Sequence, residues 1–236
     1  MKEKSLKKQK NLNLLHRPMD PRNPRDRTLR LVQMAVLVAI SSVLVLLSFP
    51  ILPVVPFMEY DLADIPVLLC TFTMGTPAGL LGLTIAALLQ AFVFAHNGII
   101  GFIMHMISSG IWVLLAGGIY SLCKRTTKGM VLGLVCGTIA VVLVMIPLNF
   151  IFIPVLMNAD LSVAETASIF WQGLFGGYDP AAYSEAAIAM HDTVAGLLWI
   201  GIIPFNLIKW VLHSVIFVIV YRSLPFLHRH KQQAEV

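Results

Sequence analysis

The chain has 236 residues, 58% of them hydrophobic and only 12% charged, with a mean hydropathy of +0.82, which excludes a soluble domain of this size. The net charge is +5, yet ten of the 17 Lys and Arg precede residue 31, three lie within 124–128 and three follow residue 221. Basic residues confined to two tails and one loop mark the cytoplasmic segments of a membrane protein, with anionic lipid headgroups within reach, and exclude a nucleic-acid surface.

Apolar stretches long enough to cross a ~30 Å hydrocarbon core recur along the chain, and they predict an all-α integral membrane protein rather than a barrel. Residues 1–30 read as a basic cytoplasmic tail. The first predicted helix, Leu31 to Phe49, has no cleavage site after it and is read as retained; its small residues Ala35, Ala39 and Ser42 leave room for another helix to approach. Pro50, Pro53 and Pro56 then predict an extended outer loop, and Glu59, Asp61 and Asp64 mark its water-facing end. A short second helix runs from Leu62 to Met74, and Gly75-Thr76-Pro77 turns the chain into a third that ends near Ala95. Residues 95–98 form an outer turn. A fourth helix, Gly101 to Cys123, leads to the basic loop 124–128, and a fifth runs through Pro147 to Pro154. Residues 158–192 hold five acids and no Lys or Arg, and read as an outer segment with short interfacial helices. The sixth helix, Thr193 to Tyr221, enters a second basic tail, 224–236. Six crossings follow, within a membrane domain over 31–223, with both termini cytoplasmic.

Two places break the apolar pattern at membrane depth. In the last helix Asn206, Lys209 and His213 are three and four residues apart, so an amide, a cation and an imidazole share one face. Such residues mark a pathway or a ligand, unless the lysine snorkels to the interface along its own stem. In the fifth helix Asn149 lies between two prolines, and its amide needs either a neighbouring helix or a ligand. Met104, His105 and Met106 fit a metal or, more simply, adaptable packing around an organic ligand. The three cysteines are dispersed through apolar segments, and no phosphate-binding Gly-x-x-x-x-Gly-Lys loop is present. His105, His191 or His213 with Asp192 would be the only basis for an enzyme; His191-Asp192 is read instead as a helix cap.

The pieces Tyr60-Asp61-Leu-Ala-Asp64-Ile-Pro66, Gly75 with Ala78-Gly79, Leu148-Asn149-Phe150 and Pro204-Phe205-Asn206-Leu-Ile-Lys209 occur in one order along the chain. In that order they closely resemble the riboflavin-specific substrate-binding subunits of energy-coupling factor transporters, over about Leu31 to Tyr221. The resemblance implies a six-helix, multi-pass subunit in a bacterial plasma membrane, a transport protein and not an enzyme. It would capture riboflavin outside the cell and carry no cofactor. It implies assembly with a transmembrane coupling protein, against which Ala35 and Ala39 would dock, and with two ABC-type ATPases. Asn149, Asn206 and Lys209 would bind the flavin, with Tyr60 and Asp61 from the loop motif and His105, which stands where relatives often show asparagine. The third helix departs from relatives in having apolar Leu83, Ala86 and Ala87 at its middle. A phosphorylated flavin and another vitamin are the alternative ligands.

Overall fold

The computed structural model describes residues 23–93, 98–157, 160–177 and 179–224. Most of both basic tails, the outer turn at 95–97 and Tyr178 therefore lie outside the described residues. Helix α1 spans Pro24–Leu44, seven residues earlier than hydropathy predicts at Leu31. The reason is local: Asn23 caps it by accepting from the Arg25 amide at 3.1 Å, and Pro24 occupies the first turn, where a missing N–H leaves no bond unmade. A 3-10 turn, Val45–Leu47, then delivers the chain to a short ladder in which β1 (Phe49–Pro50) pairs antiparallel with β2 (Glu59–Tyr60). The ladder closes the Pro-rich loop upon itself. Val55 at its centre is fully buried.

Helices α2 (Asp64–Met74) and α3 (Thr76–Leu88) meet at Gly75, whose φ of 105° favours glycine. A π turn, Leu89–Val93, extends α3. Helices α4 (Gly98–Leu122) and α5 (Thr127–Met157) form the central hairpin. They touch closely because Gly133 and Gly137 have no side chains; a Cβ at these positions would lie 2.6 Å from the Ala116 carbonyl and 2.7 Å from the Trp112 ring. Pro147 and Pro154 stay inside α5. The Thr166 hydroxyl, on helix α6 (Val163–Phe175), donates to the Ile151 carbonyl at 2.8 Å and so supports the backbone beside Pro154 while tying α6 to α5.

The last span differs from expectation. Helix α7 (Glu185–Leu197) runs through a π turn, Leu198–Ile202, directly into α8 (Ile203–Ser223). The expected start at Thr193 is thus replaced by one at Glu185, where the Ser184 hydroxyl accepts from the Ala187 amide. His191 and Asp192 lie inside α7 and cap nothing. Four helical stretches, Pro24–Leu47, Ile99–Leu122, Thr127–Val155 and Glu185–Ser223, are long and apolar enough to cross a membrane, while Asp64–Met74 and Thr76–Phe92 are shorter apolar helices. Leu68, Phe72, Trp112, Trp210 and Phe217 fill the core, and apolar residues such as Val36, Ile40, Val215 and Ile219 face outward, as lipid contact requires.

The Pro-rich loop is anchored where the last π turn bends: a Cβ on Gly201 would stand 2.5 Å from Val55 Cγ1. Gly201→Ala is therefore expected to dislodge Val55, an overpacking effect of about 1–3 kcal/mol. Limited proteolysis within residues 51–58 should proceed several-fold faster than in the parent; an unchanged rate would show that the anchor lies elsewhere.

Candidate ligand-binding site

α4, α5 and α8, the end of α1, the π turn of α3 and the Pro-rich loop surround one cavity, which encloses roughly 1050 Å³ with its open mouth included. Its lining includes His105, Asn149, Asn206, Lys209 and Asp61, with Phe57 and Glu59 from the Pro-rich loop. Five of the six residues that the sequence proposes for ligand binding therefore meet at one place. The sixth, Tyr60, stands behind them: it is buried, and its ring lies 5.1 Å from the His213 ring.

Lys209 does not snorkel. Its ammonium donates to Asp61 Oδ2 at 3.1 Å, and the two side chains are only 13% and 11% exposed. Asp61 is held from both ends, since its Oδ1 accepts from the Ala63 amide at 2.9 Å and its carbonyl accepts from His213 Nε2 at 2.6 Å. Burial opposes the charge on Asp61, but Lys209, His213, His105 and the Ala63 amide outweigh it and hold the carboxyl well below the usual carboxylate range. Burial first, and then Asp61 and Asp64, push the Tyr60 hydroxyl up to about 12, so it stays a protonated donor. Two of the three acids expected to face water thus face inward, because a cation and two imidazoles wait there.

Asp64 is the deeper of the two. It is fully buried, with His105 Nε2 at 3.6 Å from one oxygen and His213 Nδ1 at 3.8 Å from the other. Ligand atoms of Asp61, Asp64 and His213 lie within 4.8 Å of one another, a geometry a cation could enter. The Lys209 ammonium already neutralises Asp61 and repels a second positive charge there. His105 joins this group through Asp64, and the pairing of His105 with two methionines as metal ligands has no counterpart in it.

Both asparagines turn their NH₂ groups back onto their own helices: Asn149 Nδ2 donates to the Met145 carbonyl at 2.6 Å and Asn206 Nδ2 to the Ile202 carbonyl at 2.8 Å. The amides are buried, and Asn149 Oδ1 has no partner among the described residues. A buried carbonyl left in that state costs about 1–3 kcal/mol, and a ligand N–H would remove the cost. Trp210 lines the same cavity, its indole N–H likewise without a partner among the described residues, and Phe102, Met104 and Met145 supply flat or adaptable apolar surface. The arrangement suits a flat, partly apolar molecule with one polar edge. Gln90, buried and lining the cavity from the π turn, escaped the sequence reading; it closes an apolar helix and has no polar neighbour at helical spacing to betray it. Away from the cavity, Ala35 and Ala39 are exposed on α1, whereas Ser42, the third member of that stripe, is buried.

Residues 29–221 match the family described as ECF transporter, substrate-specific component. The chain is 30% identical over 174 residues to the riboflavin transporter RibU of Staphylococcus aureus (strain TCH60), covering 73% of this chain and 78% of the relative. It is 29% identical over 169 residues to RibU of Lactococcus lactis subsp. cremoris (strain NZ9000), covering 68% and 75%. A solved structure of the S component of a bacterial ECF transporter superposes with a TM-score of 0.60 at 27% identity, over 84% of this chain and 96% of the other. The chain belongs to the substrate-specific components of energy-coupling factor transporters, a family of membrane transport proteins and not of enzymes.

Proposed function

We propose that this protein is a riboflavin-binding subunit that captures the vitamin outside a bacterial cell and passes it inward with an energy-coupling factor module. The observation that carries the reading is the convergence of Asn149, Asn206 and Lys209 from α5 and α8 on one cavity beneath the Pro-rich loop. A flavin ring presents an imide N–H flanked by carbonyls along one edge. The two amides supply acceptors for that N–H, and Lys209 supplies a donor for a carbonyl. Phe57, Phe102, Met104 and Trp210 cover the ring faces, and the loop 51–58, anchored by Val55, closes the mouth. The named relatives transport riboflavin, which agrees with this chemistry.

The same reading counts six crossings, with α2 and α3 as the two short ones, both termini cytoplasmic and the cavity opening outward in the plasma membrane. Its partners are a transmembrane coupling protein and two ABC-type ATPases. The acids of the cavity then decide between flavins. Among the carboxylates and the ammonium of the lining, Glu59 and Asp61 against Lys209 leave one negative charge. A ligand phosphate adds about −1.5 to −2 more, with no unpaired cation in the lining to receive it.

The test is quenching of flavin fluorescence by detergent-purified protein, with flavin mononucleotide and thiamine as competitors. Riboflavin is expected to bind tightly and flavin mononucleotide at least about tenfold more weakly, a difference of about 1.4 kcal/mol. Thiamine should not compete. Asn206→Leu should lower riboflavin affinity by about tenfold or more, the worth of a buried hydrogen bond and its orphaned partner. Folded protein that binds no flavin would overturn the substrate and leave the family intact.

A further inference from the structure

Helix α3 leaves α-helical geometry where it reaches the cavity. A π turn widens the backbone ring by one residue and re-aims the side chains it carries, and such turns occur frequently at functional sites. Gln90 lies in this one, Leu89–Val93. Its side chain lines the cavity at 7% exposure, and its Nε2 has no hydrogen-bond partner among the described residues. An amide buried without a partner is unfavourable, so a helix that bends to place one there needs a reason beyond its own packing.

The position of Gln90 supplies the reason. Asn149, Asn206 and Lys209 stand on α5 and α8, whereas Gln90 stands on α3, which packs against α4, as α4 in turn packs against α5. Gln90 therefore belongs to a different wall from the groups that match the imide edge of a flavin. Ala87, three residues before it, and Ala91, next to it in the chain, also line the cavity, and buried Ser108 lines it from α4. The alanines leave space beside the amide, and the amide offers both donors and an acceptor, as vicinal hydroxyls do.

We infer that Gln90, with Ser108 of the same cavity lining, is the subsite for the polyhydroxylated tail of the ligand, hydrogen-bonding its hydroxyls from a different element than those that carry Asn149, Asn206 and Lys209. The inference rests on the flavin reading and adds to it a division of labour: Asn149, Asn206 and Lys209 read the polar edge of the ring, and Gln90 with Ser108 reads the tail.

Two probes separate tail from ring: riboflavin, and lumiflavin, which has the same ring with a methyl in place of the ribityl chain. Dissociation constants for both are measured on the full-length protein in detergent, for the parent and for Gln90→Leu, which fills similar space without polar atoms. Riboflavin affinity is expected to fall about tenfold, one hydrogen bond's worth, with lumiflavin affinity unchanged within about twofold. Retained lumiflavin binding also reports that the variant is folded. Equal losses for both ligands would place Gln90 on the ring, or in the fold, and overturn the inference, as would an unchanged riboflavin affinity. A parent chain that binds neither flavin would sink the flavin reading itself, and the tail subsite with it.

Discussion

Lys209→Met is expected to weaken riboflavin binding by about a hundredfold or more and to destabilise the empty protein as well. Two effects combine. The ligand loses a charged donor, worth about 1.5–3 kcal/mol. Asp61 loses the partner at 3.1 Å and remains a buried carboxylate, and removing one member of a buried pair typically costs about 3–5 kcal/mol. Adding Asp61→Asn separates the effects, because it removes the orphaned charge without restoring the donor. The double variant should recover most of the thermal stability in detergent and little of the affinity. Thermal unfolding and flavin titration of the parent, both single variants and the double variant complete the cycle. A Lys209→Met protein that is more stable than the parent and binds riboflavin equally well would make the lysine a structural accident.

Ala39→Trp, or Ala35→Trp, is expected to do the opposite: to reduce riboflavin uptake by more than about tenfold while leaving binding unchanged. Both alanines are exposed, four residues apart on one face of α1, and neither borders the cavity. Their neighbours Val36, Ile40 and Val43 are 52%, 45% and 59% exposed, so the face is apolar and has no partner among the described residues. Where two helices meet in a membrane, small residues let the backbones approach, and an indole at the contact separates them. The measurement pairs flavin titration of the purified variant with uptake by cells that also produce the coupling protein and the ATPases. Unchanged uptake would remove α1 from the docking surface; loss of binding would show that the substitution had damaged the fold.

Lys209, Asn206 and Asn149 stand out from sequence because a polar group at membrane depth is costly, and helical spacing alone puts Asn206, Lys209 and His213 on one face. The short helices expected within 158–192 include α6, whereas the early start of α7 and its continuity with α8 were less visible, since alanine-rich sequence beside acids serves a separate interfacial helix and an extension of the last span equally well. The inward turn of Asp61 and Asp64 was invisible. An acid after a Pro-rich loop reads as water-facing until something buried claims it, and the claimant, Lys209, is 148 residues away. Gln90 was hidden for a similar reason, since hydropathy gives no sign that the backbone widens into a π turn beneath it.

By itself the sequence determined the membrane location, the helical class, the family's motifs and the polar residues that apolar helices tolerate only for a purpose. These follow from local quantities: hydropathy over about twenty residues, the 3.6-residue period and the fixed demands of proline and glycine. The tertiary structure decided which acid neutralises the lysine, which stripe residues stay exposed, and which side chains share one cavity. Those depend on segments distant in sequence coming side by side, where burial makes the loss of either partner in a pair such as Asp61 with Lys209 costly.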